Sequence, residues 1–177
     1  MLKNKVRLIL KYMPVIEVMQ TYSYTNNKDI KLSFDVPGIQ MRTATPTDIS
    51  FIISNTDRNI KQRVIDNQVC YVAVEDDQVC SYLWISQGGF YPRHSEYLVP
   101  VPPDTMYIYD VFTFYEHRGR GIYKHLLSYI LHLYRKSALC IINKRNVPSI
   151  KQFKRNGFVL SDSHIYLKFY KKIVRLG

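Results

Sequence analysis

The chain has 177 residues, 46% of them hydrophobic, and carries a formal net charge of +11 at pH 7. That length and apolar content suit one domain with a sizeable core, which excludes a disordered or fibrous chain. The positive balance predicts a polyanionic ligand or surface (nucleic acid, anionic lipid or a phosphorylated cofactor) without choosing among them. Cys70, Cys80 and Cys140 form an odd set with no Cys-x-x-Cys spacing, each inside an apolar run. They read as reduced, buried thiols of a cytoplasmic protein, not as a disulfide framework or a zinc site.

The N-terminus, MLKNKVRLILKYMPVIEVM, has charges interrupting its apolar run and no small-residue cleavage site. It is therefore a poor signal peptide and too short and charged to span a membrane. Lys3, Lys5, Arg7 and Lys11 around Val6, Leu8, Ile9 and Leu10 could form a basic amphipathic helix lying on a membrane surface, or an ordinary packed first element. Residues 1–38 read as an N-terminal extension. It holds an extended VIEVMQTYSY run, the polar loop TNNKD and the turn Val36-Pro37-Gly38. The compact domain is placed at 39–177.

IQMRTAT is a strand candidate, and Pro46-Thr47-Asp48 opens a helical run, ISFII. A second helix is expected at about 57–67. CYVAVEDDQVCSYLWIS reads as a β-hairpin: strand formers flank the acidic turn Glu75-Asp76-Asp77. The loop QGGFYPRHSEYLVPVPPD is long and rich in proline and aromatics, which reads either as a functional loop or as a plain surface excursion. MYIYDVFTFY is the longest strand candidate. IYKHLLSYILHLYRK is a helix with Ile122, Leu126, Ile130 and Leu133 on its apolar face. SALCIIN is a buried strand, VPSIKQFKRNGF a helix ending at Gly157, and FVL and HIYLKFYKKI close the sheet. The order predicts an α/β fold with a mixed, largely antiparallel sheet.

The most informative stretch is EHRGRGIYKHLL, residues 116–127. Gly119 and Gly121 stand between a strand-like and a helix-like run, interleaved with Arg118 and Arg120. A helix start leaves backbone N–H groups unpaired and adds partial positive charge. Glycines let a pyrophosphate approach that backbone, and arginines add charge-assisted contacts. The spacing fits neither GxGxxG nor GxxxxGK[ST].

Arg118-Gly119-Arg120-Gly121-Ile122 resembles the Arg/Gln-x-x-Gly-x-Gly/Ala acetyl-CoA motif of the GCN5-related N-acetyltransferases, the GNAT superfamily. Asn146-Val147-Pro148-Ser149-Ile150-Lys151-Gln152-Phe153-Lys154-Arg155-Asn156-Gly157-Phe158 resembles that family's Asn-x-x-Ser/Ala-x-x-x-Tyr-x-x-x-Gly-Phe motif. The two occur in the family's order and spacing, and the resemblance covers about residues 39–170. It implies helices on both faces of the sheet and acetyl-CoA as the acyl-donor substrate. It implies that backbone N–H groups of Gly119, Arg120, Gly121, Ile122 and Tyr123 hold the pyrophosphate, with Arg118 beside them. The strand edge at Val111, Phe112 and Thr113 would pair with the pantetheine amides like an added strand. Splaying of that strand would leave N–H groups to polarise the thioester carbonyl. Asn146 would contact the pantetheine arm; Lys154 or Arg155 would meet the adenosine phosphate or else be solvated helix charges.

Two departures stand out. The family's final Gly/Ala position is Tyr123, whose bulk must turn aside or cover the cofactor. Phe153 occupies a position where many relatives have a tyrosine that protonates the departing thiolate. For the amine proton, Asp110 is the first candidate base, the sole acid of its apolar strand, where burial would raise its pKa; the alternative is a structural acid bonded to a loop N–H. Glu96 in the long loop is the second. His117 flanks the phosphate loop. His125 and His132 are seven apart, which does not suit a metal pair, and no metal is expected.

The function these residues imply is acetyl transfer to a primary amine of a small molecule, an amino sugar or amino-acid-like acceptor walled by Phe90, Tyr91 and Tyr97. Nucleic acid is not an expected partner. Peripheral membrane contact through the basic N-terminus and homodimerisation stay open. The alternatives are a CoA-binding sensor without turnover and a basic nucleic-acid-associated protein.

Overall fold

In the computed structural model, the described residues are 15–26, 35–56, 60, 68–87, 101–169 and 172–176. The basic N-terminal segment, the helix expected at 57–67 apart from Ile60, and Glu96, Phe90, Tyr91 and Tyr97 lie outside them. Eight strands form one sheet: β1 (Val15–Tyr24), β2 (Gln40–Thr43), β3 (Val69–Glu75), β4 (Gln78–Gln87), β5 (Thr105–Thr113), β6 (Ser137–Asn143), β7 (Val159–Phe169) and β8 (Lys172–Leu176). Among the described residues, three α-helices accompany them: α1 (Pro46–Asn55), α2 (Ile122–Tyr134) and α3 (Val147–Arg155). Spatial order is β2-β3-β4-β5-β6-β1-β7-β8, and only the β5–β6 pairing is parallel.

The sheet is buried on two faces, and the alternation of β3 shows how. Tyr71 and Ala73 enter one core with Leu126, Leu127 and Ile130 of α2 and Phe153 of α3. Cys70, Val72 and Val74 enter the other with Ile52 of α1. A period of two on β-branched and aromatic residues thus feeds helices on both sides. All three cysteines are buried and in no disulfide.

Several local signals act as expected. Thr45 caps α1 in a reciprocal capping box with Asp48, and Pro46 starts the helix. Asp76 and Asp77 adopt φ of 48° and 61°, the left-handed pair of a tight hairpin turn. The structure corrects two readings. Leu133 is exposed, and Leu127 and Leu131 complete the buried face of α2 instead. Val159-Leu160 and HIYLKF are one strand, β7: Asp162 and Ser163 between them pair with β1, and Ser161 stands at a bulge where its hydroxyl donates to the Thr21 carbonyl at 3.1 Å. β1 pairs with β6 on one side and β7 on the other, so the strand of residues 15–24 is interior to the sheet.

Candidate functional site

β5 and β6 pair over only three residues, Thr105–Tyr107 against Ser137–Leu139. Beyond that they fork. β5 also carries a bulge: Trp84 faces Tyr109 and Tyr82 faces Phe112, so Asp110 and Val111 together stand opposite Leu83. Asp110 takes a φ of 48°, an uncommon left-handed value for a strand residue. The bulge redirects Val111–Thr113 at the mouth of the fork.

A cavity of about 820 Å³ opens there, between the end of β5, the start of α2 and α3. Val111, Phe112 and Thr113 line one side, Gly119, Gly121, Ile122 and Tyr123 another, and Asn146 with α3 the third. Gly119 and Gly121 have φ of 79° and 76°. A Cβ at Gly119 would meet nothing within 4 Å, and one at Gly121 only the His125 ring at 3.8 Å, so the glycines serve the left-handed backbone and not a tight fit. Gly121 is the N-cap of α2 and has no side chain to cap it. The first helical bond runs from His125 N–H to Gly121 C=O at 3.3 Å. The N–H groups of Ile122, Tyr123 and Lys124 precede it and have no intrahelical acceptor.

The cavity's charge matches those donors. Arg118, Lys124, Lys151 and Arg155 line it, and no carboxylate does among the described residues. Arg118 is braced: its Nε donates to the Thr113 carbonyl at 3.1 Å, and its guanidinium lies 5.7 Å from the Phe112 ring centre and 5.6 Å from that of Tyr115. Orphan donors at a helix N-terminus among four cations have the chemistry that suits a polyphosphate.

Other expected residues sit elsewhere. Arg120 is not among the lining residues. Its guanidinium holds Glu75 in a two-pronged pair of 2.6 Å and 2.5 Å, tying the phosphate loop to the β3–β4 turn. That pair keeps the Glu75 carboxyl below its usual range and the Arg120 guanidinium above its own. Phe153 is buried beneath the site, edge-on to Tyr123 at 5.9 Å and to Phe158 at 4.9 Å. Asp110 is half-buried, one residue before the lining segment. Asn146 caps α3, its Oδ1 accepting from Ser149 N–H at 3.3 Å. Lys154 points away, 6.0 Å from the Tyr22 ring centre, whereas Arg155 reaches the cavity.

Sequence reasoning missed Lys124, Ser149, Lys151 and Gln152 as lining residues. Helical spacing could have found the last two: Val147, Lys151 and Arg155 recur at i,i+4, with Pro148 and Gln152 beside them, and one face of α3 results. Among the described residues, Glu75, Cys80 and His117 also bring metal-ligand atoms within 4.8 Å of one another. Arg120 already occupies the Glu75 carboxylate, and burial chiefly raises the Cys80 thiol pKa, so the trio works as a polar brace under the loop.

Comparisons with known proteins agree with this geometry. Residues 41–158 match the acetyltransferase (GNAT) family. No curated protein sequence matches the chain. Among solved structures, it resembles a GCN5-related N-acetyltransferase from Sphaerobacter thermophilus, with a TM-score of 0.63 and 14% identity over 96% of this chain and 57% of that one. An acetyltransferase of the GNAT family from Colwellia psychrerythraea gives a TM-score of 0.60 and 13% identity over 94% and 61%. A predicted acetyltransferase of Clostridium acetobutylicum, solved with acetyl-CoA, gives 0.50 and 20% identity over 70% and 92%. At such identities the likeness is one of fold, and the chain spans less than two thirds of the first two. Matched over more than half of its length, the chain belongs to the GNAT acetyltransferase family.

Proposed function

We propose that the protein is an acetyl-CoA-dependent N-acetyltransferase acting on a primary amine of a small molecule. The observation that carries this reading is the uncapped N-terminus of α2, which opens into a cavity lined by four cations and no carboxylate among the described residues. The N–H groups of Gly119 to Tyr123 and the side chain of Arg118 hold the pyrophosphate. The exposed edge of Val111–Thr113 takes the pantetheine amides where β6 no longer pairs with β5. Bound acetyl-CoA supplies a thioester carbonyl, and N–H groups freed by the fork polarise it. Asp110, at the bulge, takes the amine proton directly or through water, with Glu96 as the second candidate. An amino sugar or amino-acid-like compound is the proposed acceptor. No helix among the described residues is long and apolar enough to cross a membrane.

A CoA-binding protein without turnover is the second reading, favoured by Phe153, which has no hydroxyl and is buried. Acetyl-CoA with a panel of primary amines separates the two, read by release of CoA thiol and by acceptor mass. The proposal expects an acceptor gaining one acetyl group. It also expects Asp110→Asn to cut turnover by about 10²–10⁴-fold with little change in CoA affinity. CoA binding with no acetylated amine across the panel selects the second reading.

A further inference from the structure

Thioester aminolysis leaves a sulfur that gains an electron pair and needs a proton. The position where a hydroxyl would be expected is Phe153, buried and absent from the cavity lining. The ring that stands edge-on to it, 5.9 Å away, belongs to Tyr123, and Tyr123 does line the cavity. Its hydroxyl lies 3.3 Å from the Ser149 hydroxyl, which lines the cavity too, and either oxygen can donate. The pair bridges the first turns of α2 and α3 across the cleft. The lining segment Val111–Thr113 and Asn146 border the same cavity.

We propose that the Tyr123 hydroxyl, partnered by Ser149, is the proton donor to the departing CoA sulfur, a role moved from the buried ring at 153 to the ring that stands edge-on to it. This rests on the acetyltransferase reading. In the step, the amine nitrogen forms its bond to the acetyl carbon and the C–S bond breaks with its electron pair going to sulfur. The Tyr123 proton passes to sulfur. The proton lost by the amine returns through Asp110 and water to the phenolate, so no net proton is consumed. Desolvation holds the phenol pKa above its ordinary value, against a smaller lowering by the Ser149 bond, so the hydroxyl carries its proton across the neutral range. The bulky residue at a position that is usually glycine or alanine in the family thus has a chemical role.

The test titrates the thiol of bound CoA by its ultraviolet thiolate absorbance, in the wild-type protein and in Tyr123→Phe, beside turnover. The hydroxyl stabilises thiolate, so bound CoA should ionise at higher pH in Tyr123→Phe than in the wild type. Turnover should fall by about 100-fold, the low end for a general acid because thiolate leaves readily. Acetyl-CoA affinity should stay near wild type, since the lost bond is made to the leaving group. Should Tyr123→Phe fold poorly, a fluorinated tyrosine at 123 keeps the shape with a more acidic phenol. As the stronger hydrogen-bond donor, it should shift ionisation of the bound thiol to lower pH than in the wild type. An unchanged thiol titration in Tyr123→Phe overturns the proposal, whether turnover is kept or is lost through packing alone. A wild-type protein that binds CoA and acetylates no amine overturns the acetyltransferase reading, whereas normal wild-type turnover with an indifferent Tyr123→Phe overturns the role of Tyr123 alone.

Discussion

The N-termini of α1 and α2 are built from opposite materials. At α1, Thr45 accepts from Asp48 N–H at 3.3 Å, and the Asp48 carboxylate accepts from Thr45 N–H and Oγ1, each at 2.7 Å. Arg42 pairs with the same carboxylate. A buried acid thus sits on the positive end of the dipole, and one of the orphan donors has a protein partner. At α2 the N-cap is Gly121, no side chain caps it, and the first turn has no acid. Lys124 there puts positive charge on the positive end, a local cost to the helix. The same chain that caps α1 leaves the α2 donors without a capping side chain, as the proposed anion site requires.

The largest expected effect comes from filling the open end. Gly121→Glu puts a carboxylate against the anion's place and a side chain on a backbone at φ 76°, and it should abolish CoA binding by calorimetry. Near-normal affinity in a folded variant would remove the phosphate site from α2. Next in size is Arg118→Ala, which should weaken CoA binding by about 1.5–3 kcal/mol, the range of a charged hydrogen bond. Wild-type affinity at low salt would limit Arg118 to bracing Thr113 and the aromatic rings.

The closed end should answer to stability and not to ligand. Thr45→Ala should lower unfolding free energy by about 1 kcal/mol in denaturant, the usual value of an N-cap, with CoA affinity unchanged. A fall in CoA affinity as large as that of Arg118→Ala would mean the two helix ends are coupled. The smallest effect is on acid stability. Burial alone would raise the Asp48 carboxyl pKa, but bonds from Arg42 and Thr45 outweigh it and hold the pKa below its ordinary range. Asp48 thus contributes its full stabilisation above the ordinary carboxylate pKa of about 4 and loses it as pH falls through the folded value. Asp48→Asn should flatten that part of the stability–pH curve, and an unchanged acid slope would deny Asp48 this part.

These two ends also show what the sequence exposes and what it hides. Thr45-Pro46-Thr47-Asp48 and Arg118–Gly121 carry their geometry within a few residues, so both helix starts and the glycine cradle are legible without coordinates. So are β1, β6 and the hairpin turn, where local propensity and burial agree. The pairing of Arg120 with Glu75 spans 45 residues, and nothing local foretells that this arginine turns from the cavity. The bulge at Asp110 is hidden for a related reason: its register depends on β4. The place of β1 between β6 and β7 depends on partners more than a hundred residues away, and composition cannot set it. Tyr123 reads in the sequence only as bulk that turns aside or covers the cofactor, because its contact with Phe153 and Ser149 crosses from one helix to another.

The claim that the open end of α2 holds the acyl donor's pyrophosphate is tested most directly by amide NMR during titration with acetyl-CoA. The N–H resonances of Gly119, Arg120, Gly121, Ile122, Tyr123 and Lys124 should move strongly and saturate together, while those of Thr45 and Asp48 at the capped end of α1 stay in place. Saturable binding that leaves the Gly119–Lys124 amides unmoved would contradict the account.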